Sequence, residues 1–215
     1  MGEFAGSKKF WEKKILGWEH SRYAKSRFFY PLAWTIRARL RRAAQVIVQR
    51  TPSDSRILEL GCGSGYLAEK LSGKGYRYSG CDFAANAIVV AQARVQDPAF
   101  TFFVSDVTSG ELPGADLTVF MGLTDWLSAE QLLQLLQTIP SASIFFSYTH
   151  EFAWSPYRFY RRLMDGPGGA EAYRARTYSR NQIEQILERA GYRYEVVSYP
   201  LIYDPGCLVW AERKK

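Results

Sequence analysis

A short strand that runs into a glycine-rich loop is the feature that most constrains this chain. The stretch from Ile57 to Gly65 reads ILELGCGSG, so an apolar strand ends beside an acid and three alternating glycines follow. Glycine adopts positive φ and has no Cβ, so the backbone turns tightly and a ligand can approach its N–H groups. In open α/β sheets, ligands bind outside the carboxyl ends of the strands. The pattern predicts an α/β fold with a binding site at this strand end.

The acid in the loop separates two classes of ligand. Glu59 places a negative charge beside the opening, which repels a pyrophosphate and suits an ammonium or sulfonium group. A dinucleotide loop of the type G-x-G-x-x-G/A also needs a small third residue, and Tyr66 occupies that position. The loop therefore favours S-adenosylmethionine over a nicotinamide dinucleotide.

The motif from Glu59 to Gly65 resembles the first motif of the class I S-adenosylmethionine-dependent methyltransferases, an acid followed by G-x-G-x-G. This family also has an acid at the end of strand two, where Asp82 stands, and one after strand three, where Asp106 stands. Taken singly, Asp82 also suits a helix N-cap and Asp106 a turn. Three acids at successive strand ends favour one shared site. The specific resemblance covers residues 55–122.

The resemblance implies a role for each matching position. The first acid and glycine would face the methionine amino group, Asp82 would bind the ribose hydroxyls, and the residues after strands three and four would meet the adenine edge and the methionine end. The cofactor would be S-adenosyl-L-methionine and the product S-adenosyl-L-homocysteine. The implied cofactor-binding residues are Glu59, Gly61, Cys62, Gly63, Gly65, Asp82, Phe83, Asp106, Val107, Met121 and Gly122.

Hydrophobic periodicity predicts strands and helices that alternate along the chain. Such alternation predicts a mostly parallel sheet with helices on both faces. The resemblance implies a Rossmann-like, doubly wound, seven-stranded sheet whose last strand is antiparallel. The predicted strands are Arg56–Leu60, Arg77–Asp82, Thr101–Val104, Leu117–Met121, Ser143–Tyr148, Arg193–Tyr199 and Cys207–Glu212. The predicted helices are Trp34–Gln49, Tyr66–Leu71, Ala84–Val95, Ala129–Thr138 and Arg180–Ala190.

Two segments rich in aromatic and basic residues flank this core. We expect an N-terminal helical cap over residues 1–52, a methyltransferase domain over 53–215 and, within it, a lid over 149–179, because loops of that length in compact domains are usually functional. Arginine suits carboxylate and phosphate recognition, which favours a small anionic or aromatic substrate. The predicted substrate-binding residues are Trp18, His20, Tyr23, Trp126, Tyr157, Arg158, Arg161 and Arg162.

A fainter resemblance concerns the carboxyl-terminal half. The positions that carry it are YRFYRRL at Tyr157–Leu163, Pro167-Gly168, Tyr178 and Ala190-Gly191-Tyr192, which are similar to magnesium-protoporphyrin O-methyltransferases. That resemblance implies O-methylation of a carboxylate. Transfer from a sulfonium is an in-line displacement that depends mainly on alignment and desolvation. Three polar residues follow strands four and five and are catalytic candidates, namely Asp125, Tyr148 and His150.

Composition limits the alternatives. The net charge of +7 permits nucleic-acid or membrane-surface contact by the basic N-terminal segment, but the place of the [D/N]-P-P-[Y/F/W] motif of nucleic-acid amino-methyltransferases is taken by MGLTDW at Met121–Trp126. Three cysteines without a C-x-x-C pair argue against disulfides or a zinc site and favour the cytoplasm. Protein methylation and a noncatalytic cofactor-binding subunit remain open. The sequence indicates no oligomeric state.

Overall fold

The computed structural model describes residues 12–17, 19, 33–108, 111–151, 175–198 and 206–214. Its strands are β1 (Arg56–Leu60), β2 (Arg77–Asp82), β3 (Phe100–Val104), β4 (Leu117–Phe120), β5 (Ser143–Thr149), β6 (Tyr192–Ser198) and β7 (Gly206–Arg213). Its longer helices are α1 (Ala33–Arg50), α2 (Tyr66–Leu71), α3 (Ala85–Arg94), α4 (Ala129–Thr138) and α5 (Arg180–Arg189), and residues 12–17 are also helical. Across these ranges, no helix combines the length and the apolar character that crossing a bilayer requires.

All seven strands belong to one sheet with the order β3-β2-β1-β4-β5-β7-β6. The first five strands pair in parallel, and β7 inserts antiparallel between β5 and β6. The order reverses at β1, where β2 lies on one side and β4 on the other. Because ligands bind at such a reversal point in open α/β sheets, the topology places the glycine loop in the expected crevice. The predicted sheet and its antiparallel last strand are confirmed.

Helices cover both faces of the sheet, and the strands alternate between two apolar clusters. Ile57 and Phe145 contribute to the cluster under α1, α2 and α3, whereas Leu58 and Phe146 contribute to the cluster under α4 and α5. Neighbouring residues of a strand point to opposite faces, so one strand supplies both layers. Burial on both faces explains why β4 and β5 read as nearly continuous apolar runs.

The helix predicted within the N-terminal cap, α1, packs into the central core. Leu40 and Ile47 on one of its faces are buried in the same cluster as Ile57. At its end, the Arg50 guanidinium donates to the Glu195 carboxylate at 2.7 Å and lies 5.6 Å from the Trp210 ring. This helix therefore fastens the N-terminal part of the chain to the sheet.

The predicted elements are all present, and their ends differ by one residue at most. Ala84, predicted as the first helical residue, has an extended backbone and lies just before α3 because its N–H is held by the Asp82 carboxylate. β5 continues to Thr149, which pairs with Gly206 of β7. Thr149, the first residue of the segment predicted to be a lid, therefore belongs to β5. A short 3-10 helix at Thr124–Trp126 was not predicted.

Candidate functional site

The glycine loop leaves β1 with three residues in the left-handed region of backbone space. Gly61, Gly63 and Gly65 have φ values of 68°, 52° and 77°. L-residues with a Cβ rarely adopt this conformation, so the loop requires glycine at these positions. The N–H of Cys62, between the first two glycines, donates to the Cys81 carbonyl at 3.0 Å and continues the pairing of β1 with β2. The loop therefore stays in register with the end of the next strand.

Asp82 links the loop to the end of β2. One carboxylate oxygen accepts the Gly63 N–H at 3.0 Å, and the other accepts the Ala84 N–H at 2.9 Å. The residue is 5% exposed, and this burial raises the pKa of its carboxyl although the backbone hydrogen bonds oppose the rise. With a further backbone hydrogen bond from Phe83, the carboxylate accepts three protein donors and keeps one lone pair for a ligand hydroxyl. The predicted ribose-binding acid thus lies against the predicted loop.

Glu59 is buried beneath the loop. It is 3% exposed, and the Tyr78 hydroxyl donates to its carboxylate. Burial, together with repulsion from Glu19 and Asp82, raises the pKa of Glu59 to about 8. Burial also raises the pKa of the nearby Cys62 thiol. Glu59 therefore exchanges a proton near neutral pH, and a cation bound beside it would favour its ionised form.

A third acid at the loop was not predicted. Both carboxylate oxygens of Glu19 lie 3.2 Å from the Ser64 backbone nitrogen, whose N–H they accept. Glu19 is 7% exposed, and its pKa is raised mainly by burial and further by Asp82. No local pattern reveals it, because the two partners are 45 residues apart and the segment between them gives no sign of this approach.

Two aromatic side chains pack together near the start of α3. Phe83 and Trp126 are partly buried against a small cluster formed by Ile15, Ala84 and Ala87. Phe83 is one of the cofactor-binding residues that the resemblance implies, and Trp126 is one of the predicted substrate-binding residues. The structure brings these two rings to one cluster, next to the helical residues 12–17.

The remaining predicted cofactor residues follow β3 and β4. One Asp106 carboxylate oxygen accepts from the Thr108 N–H at 3.0 Å and from the Thr108 hydroxyl at 2.7 Å, as in a turn. Val107 packs on the α4 side of the sheet. After β4, Met121 is half-buried, and Gly122 has a φ of 83° and donates its N–H to the Ser147 hydroxyl at 2.9 Å. Cofactor contacts of these residues remain predictions.

The three catalytic candidates contribute to the framework at the end of β5. The Asp125 carboxylate accepts the Thr149 N–H at 2.9 Å and the Thr149 hydroxyl at 2.7 Å. Tyr148 is 3% exposed within the α4–α5 cluster, and burial raises the pKa of its hydroxyl. His150 is half-buried and pairs with Tyr178 in a parallel bridge. Tyr148, expected to follow the fifth strand, lies within β5, whereas Asp125 follows β4 and His150 follows β5.

Tyr178 is a second residue whose role the sequence did not indicate. It is 4% exposed, its hydroxyl donates to the Leu127 carbonyl at 2.5 Å, and its N–H donates to the Thr149 carbonyl at 2.9 Å. The chain on either side of residues 152–174 is therefore fastened together at the end of β5. Most of the predicted substrate residues lie outside the described residues, namely Trp18, His20, Tyr23, Tyr157, Arg158, Arg161 and Arg162.

Comparison with known proteins identifies related sequences and folds. Residues 57–142 match the family described as "Methyltransferase domain". A putative methyltransferase of Geobacillus sp. (strain WCH70) is 35% identical over 81 residues, which are 35% of this chain and 32% of the relative. A malonyl-[acyl-carrier protein] O-methyltransferase of Bacillus anthracis is 28% identical over 145 residues, 63% of this chain and 54% of the relative. The chain thus spans about half or less of these curated relatives.

The fold is shared over a greater length. The magnesium protoporphyrin IX methyltransferase of Synechocystis PCC 6803, solved with bound S-adenosylhomocysteine, superposes with a TM-score of 0.76 at 16% identity and covers 96% of this chain and 98% of its own. Both resemblances inferred from the sequence are confirmed as similarities. The methyltransferase domain match over residues 57–142 includes the glycine loop and all three strand-end acids, Glu59, Asp82 and Asp106.

Proposed function

We propose that this chain transfers a methyl group from S-adenosylmethionine to a carboxylate oxygen of a small anionic acceptor. The observation that supports the cofactor is the convergence of three buried carboxylates on the glycine loop, those of Glu19, Glu59 and Asp82. A positively charged ligand stabilises the ionised form of such a set of acids, which a pyrophosphate would destabilise. S-adenosylmethionine supplies an electrophilic methyl group on a cationic sulfur.

The residues present fit this cofactor. Asp82 keeps acceptor capacity for a ribose hydroxyl, and the glycine loop presents backbone rather than side chains. Gly122 follows the end of the adjacent strand β4 by two residues and has a φ of 83°. We assign the ribose to Asp82 and the methionine end to Gly61 and Gly122.

The acceptor is inferred from chemistry and from the relatives. Malonyl and protoporphyrin groups, named for two similar proteins, both carry carboxylates. A carboxylate is already ionised at neutral pH and needs no general base. The absence of a required base agrees with the positions of two candidate bases. Asp125 accepts hydrogen bonds from Thr149, and Tyr148 is buried. We assign His150 the task of orienting the acceptor.

Calorimetric titration with S-adenosylhomocysteine tests the cofactor assignment. Replacement Asp82→Asn removes the charge behind one or two hydrogen bonds, each worth roughly 1.5–3 kcal/mol, so Kd is expected to rise about tenfold or more. Asp116→Asn is the matched control, because Asp116 pairs with Arg56 at the opposite edge of the sheet. Equal Kd values for the two variants would contradict the assignment.

The acceptor assignment is tested by radiolabelled methyl transfer. Wild-type protein is incubated with labelled S-adenosylmethionine and a panel of malonyl thioesters, dicarboxylic acids and porphyrin carboxylates. The expected product is a methyl ester, which releases its label as methanol in mild alkali. Label that resists alkali would indicate transfer to nitrogen, to carbon or to a hydroxyl oxygen as an ether, and would refute O-methylation of a carboxylate.

A further inference from the structure

The space that Gly63 leaves open is filled by a side chain of the protein itself. A Cβ built on Gly63 would overlap the Glu19 carboxylate oxygen Oε1 and would stand 3.0 Å from its Cδ. The absence of a side chain at Gly63 therefore makes room for this carboxylate. By contrast, a Cβ on Gly122, at the neighbouring strand end, would meet nothing within 4 Å.

The same carboxylate occupies the donor that the loop offers. Both oxygens of Glu19 are within 3.2 Å of the Ser64 nitrogen, and the Ser64 carbonyl accepts from Arg94 Nε at 2.8 Å. A ligand carboxylate that approached this N–H would meet the Glu19 carboxylate first, and two like charges at contact distance repel each other. Glu19 and a ligand carboxylate cannot use this donor together.

Anchors on the preceding residues hold Glu19 in place. Ile15 is 8% exposed against Ala84 and Ala87, and the Asn86 side chain donates to the Glu12 carbonyl at 2.6 Å. Both contacts attach the helical residues 12–17 to α3 and to the residues just before it. Glu19 itself is buried near Asp82, and burying two carboxylates together costs free energy. The hydrogen bonds to the loop must offset this cost.

We propose that Glu19 is a gate on the cofactor site, which closes the glycine loop while its carboxylate accepts the Ser64 N–H and opens the loop when the cofactor binds and takes that N–H. The gate rests on the proposed function, since it takes S-adenosylmethionine as the ligand of this loop. The cofactor carries a carboxylate that can replace the one from Glu19. A protein whose binding-competent state is only a fraction of the population shows an apparent Kd increased by the inverse of that fraction.

The gate is tested by measuring S-adenosylhomocysteine binding to Glu19→Ala and Glu19→Gln with calorimetry and with stopped-flow fluorescence. We expect Glu19→Ala to lower Kd about three- to tenfold and to raise the association rate, because the open state becomes the main population. Glu19→Gln keeps an acceptor for Ser64 but loses the charge, so its effect should be smaller and in the same direction. Glu12→Gln is the matched control, an exposed glutamate on the same segment, and should leave both quantities unchanged.

Thermal unfolding of each variant shows whether it is folded. If Glu19→Ala does not fold, Glu19→Gln still tests the gate because it keeps the shape of the side chain. An unchanged or raised Kd in a folded Glu19 variant overturns the gate; a raised Kd would make Glu19 a direct ligand of the cofactor ammonium. If wild type binds S-adenosylhomocysteine and Asp82→Asn weakens it, the proposed cofactor stands whatever the Glu19 variants show. If no variant binds, both proposals fail.

Discussion

Replacement Glu59→Gln should make the protein more stable, and by an amount that grows with pH. Glu59 has an ordinary pKa of 4.5 when unfolded and a pKa of about 8 in the folded protein, where it is buried near Glu19 and Asp82. Between these values the folded protein binds the extra proton, so its free energy of unfolding falls by about 1.4 kcal/mol per pH unit. Over the whole interval the loss approaches about 5 kcal/mol. Below pH 4.5 the stabilising contribution of the protonated carboxyl is fully present.

Glutamine stays neutral and keeps an oxygen that accepts from the Tyr78 hydroxyl, so it escapes this loss. Urea unfolding of wild type and Glu59→Gln at pH 5, 6, 7 and 8 should give curves that diverge as pH rises, while other titrations cancel in the difference. The control Glu195→Gln concerns an exposed carboxylate whose pKa is lowered by Arg50, and its difference should stay constant over this range. A constant difference for Glu59→Gln would refute the buried, proton-binding carboxyl.

Two further substitutions test packing and the strand-end framework. Gly80→Ala, in β2, places a Cβ 2.9 Å from the Phe102 ring, so overpacking should lower the free energy of unfolding by about 1–3 kcal/mol in urea. Gly114→Ala should be near neutral, because its Cβ meets nothing closer than 4.0 Å. Asp125→Ala removes the acceptor for both donors of Thr149 and should lower the free energy of unfolding by about 2 kcal/mol. Asp125→Asn should lose less, because its amide oxygen still accepts one hydrogen bond. Equal unfolding midpoints for the two variants would contradict this.

The sequence sufficed for the fold because each signal was local. The alternating glycines require positive φ wherever they lie, and the apolar strand before Gly61 requires burial. Asp82 and Asp106 follow strands whose carboxyl ends parallel pairing brings to one edge. From these facts the loop and its neighbouring acid could be placed without coordinates, whereas the topology of the seven-stranded sheet was implied by the resemblance to the methyltransferases.

Contacts between distant residues were beyond the sequence. Glu19 reaches Ser64 across a separation that no periodicity spans, and the depth of Glu59 depends on the register that sets Tyr78 opposite Ile57. Asp125 showed the converse problem. Its position after β4 suggested chemistry, but the strand end needs an acceptor for Thr149, and a single sequence does not distinguish these two uses of a carboxylate.

The insertion of β7 between β5 and β6 affects how the chain tolerates truncation. Without residues 206–213, the apolar strand β5 has an open edge. β6 then has no neighbour among the described strands. Open, apolar strand edges readily pair with other chains. Truncated forms that lack Gly206–Arg213 should therefore aggregate more readily and depend more on chaperones than the whole chain.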